Sequence, residues 1–239
     1  MIKKLLICIL FISIVNAEDI FNELESNLFK AMINDELETI AKDGEATFVE
    51  NGLFVLPQKV SSDKIQKEYE KNEVKADLEY GNKLLLITGK VDTIQKDIAN
   101  NLIVKIKGGN NTFIMPTAQI QKKYINWVAS INKGNNIKLV CENKGLFVGM
   151  VNLINCTPFD NWLVEQNLES KIFNYYKDNK NVKNELTEYI SKMIDFTKLI
   201  ATKIDTQKSS CTTQNFNDKK CLQEMSKIVE VIQKEKNSK

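Results

Sequence analysis

The chain has 239 residues, 43% hydrophobic and 27% charged, a globular composition long enough for one or two domains with their own cores. All 33 of its basic residues are lysines, set against 31 acids, and neither histidine nor arginine occurs. Without imidazole there is no Ser/His/Asp triad, no Cys/His pair and no histidine metal ligand; without guanidinium there is no bidentate grip on phosphate or guanine and no arginine finger.

In chain order, residues 1–17 read as a signal peptide: Lys3 and Lys4, an apolar run from Leu5 to Val15, and Val15-Asn16-Ala17 as the cleavage site, with the cut after Ala17. The run is too short for a membrane span, which needs roughly twenty apolar residues, and the acids Glu18 and Asp19 follow it. Cys8 lies inside the run without the spacing of a lipoprotein cleavage point. The mature protein is therefore expected to be periplasmic or secreted, with no transmembrane anchor. Its charge is uneven: 7 lysines against 16 acids in 18–80, 10 against 3 in 81–159, and 14 against 12 in 160–239. A basic middle segment thus follows an acidic arm.

Residues 18–60 read as that arm. Ile20, Leu24, Leu28, Met32, Leu37 and Ile40 recur at helical spacing, and the β-rich runs 47–49 and 53–55 around Asn51-Gly52 predict a hairpin. Residues 61–159 read as a barrel domain with a leading helix, capped by Ser62 and running to about Tyr80 with Ile65, Tyr69 and Ala76 inward. Leu84 to Ile94 is strand-like, with Gly89 where the strand must bend. Leu102, Val104 and Ile106 alternate with Ile103, Lys105 and Lys107, and Gly108-Gly109-Asn110 turns into a strand at 112–115. Pro116-Thr117 opens a helix to about Ser130, and strands follow in 137–141 and 147–156. Three strands, a helix and two strands is the order of an oligonucleotide/oligosaccharide-binding (OB) barrel.

Within this domain the run from Tyr69 through Asn72-Glu73, Ala76 and Asp77 to Tyr80, then Thr88-Gly89-Lys90-Val91 with Ile94 and Asp97, then Lys133-Gly134, Cys141 and Cys156, resembles the tRNA_anti-like OB-fold family over about residues 69–157. The resemblance implies a fold; the family pattern contains no catalytic residue to carry over. The expected class is α+β: a five-stranded OB barrel with a preceding helix, a helix and hairpin arm, and an α-helical C-terminal extension. That extension, 160–239, shows helical stripes through Trp162, Leu168, Ile172 and Tyr176, through Leu186, Ile190, Met193, Phe196, Ile200 and Ile204, and through Leu222, Met225, Val229 and Ile232.

Removing Cys8 leaves Cys141, Cys156, Cys211 and Cys221, an even number suited to an oxidising compartment, for which three pairings exist. Local pairing is expected, each pair closing a short loop. The spacing lacks the Cys-x-x-Cys knuckles of a zinc site, and neither a metal nor a cofactor is expected.

Signals of catalysis are thin. Ser61-x-x-Lys64 and Ser130-x-x-Lys133 match the Ser-x-x-Lys pattern but lack its companion motifs, so Ser61 and Ser62 read as helix caps. The acids Asp35, Glu36 and Glu38 lack calcium-loop spacing. Binding is the better-supported class: Lys90, Lys96, Lys105, Lys107 and Phe113 are the candidates on or near the usual OB ligand face. Export, absent arginine and one nearby aromatic weigh against nucleic acid. The expectation is a non-enzymatic exported binding or assembly module of the bacterial envelope, with an envelope protein or anionic ligand as partner. A polyanion binder, of single-stranded nucleic acid or anionic glycan, is the alternative, and an envelope hydrolase a weaker one. The acidic segment 18–80 is expected to pack on the barrel and neutralise part of its groove.

Overall fold

The computed structural model describes residues 20–111, 113–205, 208–211 and 219–237; the expected leader and the expected cut after Ala17 lie outside them. Described residues before 37 and from Leu168 onward form one compact unit, and Leu37–Asn167 form another.

In the second unit, β2 (Leu84–Lys96), β3 (Leu102–Ile106), β4 (Thr117–Ile120), β6 (Met150–Pro158) and β5 (Asn136–Phe147) join in that order, and β5 pairs back onto β2. The result is a closed five-stranded barrel, antiparallel except where β4 runs parallel to β6. Alternation explains the closure. Leu85, Ile87 and Val91 of β2, Val104 and Ile106 of β3, Ala118 and Ile120 of β4, Leu139 of β5, and Val151 and Leu153 of β6 turn inward and are buried in one core, while the intervening residues face outward. A short strand, β1 (Gln58–Ser61), pairs in parallel with residues 85–88 of β2, on the edge that β3 occupies further along.

Cys141 and Cys156 are joined in the core at the register shift between the pairs Val140–Thr157 and Glu142–Ile154. The bond closes a separation of 15 residues, and in the chain-entropy description such a loop contributes about 3 kcal/mol. Replacing both cysteines with alanine should lower the urea-unfolding free energy by about that amount. A loss below about 1 kcal/mol would show that the barrel holds this register without the bond.

Two helices lead into the barrel, α3 (Ser62–Lys71) and α4 (Glu73–Tyr80). A single helix was the expectation; Asn72, in an extended conformation, divides it and caps the second helix by accepting from Lys75 N–H at 3.0 Å. The cap is Ser61 for α3, accepting from Lys64 N–H at 3.1 Å, whereas Ser62 Oγ donates to the Lys107 carbonyl at 2.6 Å. Gln66 is wholly buried and spans to the far hairpin, donating to Gly149 O at 2.8 Å and accepting from Val151 N at 3.0 Å. Buried Tyr69 and Asn143 form a second link, with the exposed Asp77 at its outer end. The Tyr69 hydroxyl donates to Asp77 Oδ1 (2.8 Å) and accepts from Asn143 Nδ2 (2.9 Å), which also donates to Tyr80 O (3.0 Å). Burial, and then the bond to Asp77, push the Tyr69 phenol up to about 12, so its one proton stays on the bond to the carboxylate.

Other expectations are corrected. The hairpin around Asn51-Gly52 is one helical turn, α2 (Thr47–Glu50), followed by Gly52 at φ 72°. This compact turn buries both Phe48 and Phe54, and Phe54 meets the Trp162 ring at 5.7 Å. No strand lies in 113–115, and Thr112 is outside the described residues. The third barrel strand is instead β4, where a helix was expected to begin, because Ala118 and Ile120 fill the interior between β3 and β6. The helix that follows is short, a 3₁₀ turn (Lys122–Tyr124) and α5 (Ile125–Ser130). Ser130 ends it, donating to Trp127 O at 2.8 Å, while Lys133 pairs with Asp92 at 3.4 Å. Neither side chain forms a Ser/Lys pair. After β6, α6 (Phe159–Glu165) lies against β5 and β6, and its Glu165 accepts from Tyr124 and Lys123.

The helical unit contains α1 (Glu23–Ala41) up to Glu36, α7 (Leu168–Asn179), α8 (Glu185–Ala201) and α9 (Lys219–Asn237). Phe21, Phe29 and Phe173 form an aromatic cluster with ring centroids 5.1–5.7 Å apart. Leu28 and Ala31 share a core with Ile200, Met225, Ile232 and the bonded Cys211–Cys221 pair. Among the described residues no helix is long and apolar enough to cross a membrane.

Candidate ligand groove

The outward alternation of β2 presents Thr88 and Lys90, that of β5 presents Asn136 and Lys138, and Lys59 and Ser61 come from β1. With Lys107 just after β3 and the first residues of α3, these line an open groove of about 540 Å³. Two glycines make the seam possible. A Cβ on Gly89 would lie 2.3 Å from Ser62 Oγ, and one on Gly108 would lie 2.5 Å from Ser62 O. Lys107 N–H donates to Lys90 O at 2.8 Å, continuing the β2–β3 ladder to the groove floor.

The lysines of the barrel divide sharply. Lys83, Lys123, Lys133, Lys138 and Lys144 each meet an oxygen partner. The ammonium groups of Lys90, Lys96, Lys105, Lys107 and Lys122 form no hydrogen bond or ion pair among the described residues, although Lys107 feels the charge of Asp92 and Lys122 that of Asp97. Lys90 and Lys107 are brought together in the groove. Lys107 and Phe113, whose ring is 89% exposed, also line an adjoining cavity of about 520 Å³ with Asp92, Gly109 and Met115. Lys105 shares the outward face with Lys107, opposite Thr93 and Thr117, but lines neither cavity. Lys96 pairs with Leu102 at the far end of β2, on the inward parity of the strand, and stands apart from the others.

Acids of the preceding segment meet this region at named points. Asp43, at φ 63° in the turn after α1, lies 2.9 Å from Lys59 Nζ and 2.8 Å from Lys138 Nζ. Because Lys59 is in register with Leu86 and Lys138 with Thr88, one carboxylate joins lysines on opposite sides of β2. Lys138 Nζ also donates to Ala41 O at 2.6 Å and lies 5.8 Å from the Phe159 ring centre. Asp63 accepts from Gly109 N–H at 3.2 Å and pairs with Lys67 at 2.8 Å, and Glu70 accepts from Asn110. Lys59 and Lys138 were not among the residues singled out from sequence. Lys138 had a usable signal, its outward place between Ile137 and Leu139; Lys59 had none, because β1 is a strand only through its pairing with β2.

The hydrogen bonds from Lys138 and then Lys59 hold the Asp43 carboxyl below its ordinary range. A carboxylate depressed in the folded state stabilises above its unfolded pKa, about 3.9, and loses that contribution as pH falls through its lower folded value. Asp43→Asn should therefore cost a few tenths of a kcal/mol at pH 6, small because the pair is half exposed, and less at pH 2.5. Urea midpoints at the two pH values measure this; an equal cost at both would mean that charge pairing is not what the mutation removes.

Comparison with known proteins places the barrel in context. No curated protein shows significant similarity to the chain. Among solved structures, a Klebsiella pneumoniae lipoprotein, provisionally described as nucleic acid-binding, is 20% identical with a TM-score of 0.37, the alignment covering 43% of this chain and 91% of that one. The tRNA_anti-like family matches residues 1–157, so the likeness read from 69–157 extends back through the acidic arm. The chain belongs to the tRNA_anti-like family.

Proposed function

We propose that the protein is an exported, non-enzymatic OB-fold binding module of the bacterial envelope, and that its ligand surface is the outward barrel face bearing Lys90, Lys105, Lys107 and Phe113. The observation that carries this reading is the set of outward ammonium groups that form no ion pair among the described residues, Lys107 having only the more distant charge of Asp92, beside an exposed aromatic ring. An unpaired lysine cluster attracts anions by charge and sets no base-specific contact. Two disulfides fit an oxidising compartment, and the capping role of Ser61 accounts for its place before Lys64 without catalysis.

Binding of labelled heparin fragments and of single-stranded oligonucleotide to the mature chain, measured at 50 and 200 mM salt, tests the reading. Affinity should fall steeply with salt, and Lys105→Gln with Lys107→Gln should weaken binding and flatten the log–log salt slope by about 1.4 to 1.8. Binding that ignores salt, or ignores both substitutions, would refute an anion face. Assembly on a protein partner is the second reading, favoured by Val74 and Leu78, one turn apart on α4 and 73% and 80% exposed.

A further inference from the structure

Resting on that reading, we propose that the groove between β1, β2 and β5, which shares Lys90 and Lys107 with that face, is a site for a compact diphosphate-type anion, and that Asp43 is its built-in counter-ion, displaced when the anion enters. The usual ligand face of an OB barrel centres on its second and third strands, here β3 and β4. This groove lies instead on the first and fourth barrel strands, extended by the added strand β1.

Its lysines fall into two pairs. Lys59 and Lys138 face each other across β2 and are joined by the Asp43 carboxylate at 2.9 and 2.8 Å. Lys90 and Lys107 stand on adjacent backbone positions, linked by the 2.8 Å hydrogen bond between Lys107 N and Lys90 O, and have no anion between them. One pair therefore holds a carboxylate, while the other is joined by none and feels only the charge of Asp92, which pairs with Lys133, within one groove of about 540 Å³, a volume within the range of small-molecule sites. An anion with two adjacent charged groups would satisfy both pairs, one group replacing the Asp43 carboxylate and the other meeting Lys90 and Lys107. Neutral donors are also in place: the hydroxyl protons of Ser61 and Thr88 and the amide of Asn136 have no acceptor among the described residues. Asp63, the second acid on the groove, is engaged with Lys67 and Gly109 and does not compete for the four lysines.

Calorimetric titration of the mature chain with inorganic pyrophosphate and with orthophosphate is the test. Pyrophosphate should bind at least about tenfold more tightly than orthophosphate, since only it spans both pairs. Asp43→Asn should tighten pyrophosphate binding by about five- to tenfold by removing the competing charge, and Lys90→Gln with Lys107→Gln should weaken it by at least about tenfold. Lys105→Gln, outside the groove, should change it less than about twofold. In the unaltered chain, pyrophosphate should also raise amide hydrogen exchange at residues 41–46, where Asp43 lets go; this measurement needs no variant to fold. Unchanged or weaker binding by Asp43→Asn, or unmoved exchange at 41–46, would overturn the counter-ion role. Salt-dependent heparin or oligonucleotide binding that persists while pyrophosphate fails to bind would overturn this site and leave the anion-face reading standing.

Discussion

Replacing Asn143 with alanine should lower the thermal midpoint by about 5–15 °C, more than any single loss on the barrel surface. Asn143 is wholly buried and serves three groups at once: it donates to the Tyr69 hydroxyl and the Tyr80 carbonyl, and its Oδ1 accepts from Gly145 N–H at 3.1 Å. Truncation leaves the Gly145 N–H without its partner and the Tyr80 carbonyl with only the 3.3 Å bond from Lys83 N–H, at about 1–3 kcal/mol for an unpaired buried group, and the lost bond to Tyr69 and the vacated space bring the total to about 2–4 kcal/mol. Asn143→Asp should be no rescue, because the single Tyr69 proton already goes to Asp77 and a second carboxylate would face that oxygen's lone pairs. Tyr69→Phe, which leaves Asn143 its other two bonds, should cost about 1–2 kcal/mol. A midpoint within about 2 °C of the parent for Asn143→Ala would show that water fills the site and that the network is not a stability element.

Gly108→Ala should be nearly as damaging, and for a steric reason. Its Cβ would lie 2.5 Å from Ser62 O, 2.7 Å from Ser62 C and 2.8 Å from Asp63 N, all backbone atoms at the start of α3. Backbone cannot swing aside as a long side chain can, so the loop and the helix must part. Parting them strains the Ser62 bond to Lys107 O and the Gly109 bond to Asp63. The expected cost is about 2–4 kcal/mol, the upper range for overpacking because two hydrogen bonds go with it. Gly134→Ala gives the contrast: Gly134 sits at φ 89° with nothing within 4 Å of a Cβ, so only conformational strain of about 1–2 kcal/mol applies. If urea midpoints put the two variants level, close contact at Gly108 is not what fixes α3 to the barrel.

The barrel was legible because period-two alternation survives in its longer strands, and because Gly89 marks the place where β2 meets α3 and Ile106. What was lost involves short segments whose identity is decided elsewhere in the chain. β4 has four residues, and Ile120 fits both its two-residue period and the helical stripe running to Val128; pairing on both sides with β3 and β6 decides for strand. Asn51-Gly52 signals a turn with positive φ, which a hairpin and the end of a single helical turn use equally; burial of Phe48 and Phe54 selects the helical turn. The site follows the same rule. Lys90 and Lys107 could be placed by alternation, whereas the Asp43–Lys59–Lys138 bridge needs the β1 pairing, and residues 58–61 contain one buried side chain and no pattern.

The added strand β1 also bears on how the barrel can be cut. Along 85–88 it covers the edge of β2 that β5 does not, and β3 takes over from Val91. A fragment beginning at Lys83 would retain every closing strand of the barrel yet leave the Leu85–Thr88 backbone unpaired on one side, next to Leu85 and Ile87. Such an edge is a template for a second chain. The arm is in this sense a guard against self-association: the minimal folding piece of this protein begins before its barrel does, at or ahead of Gln58, and shorter pieces should sediment as oligomers.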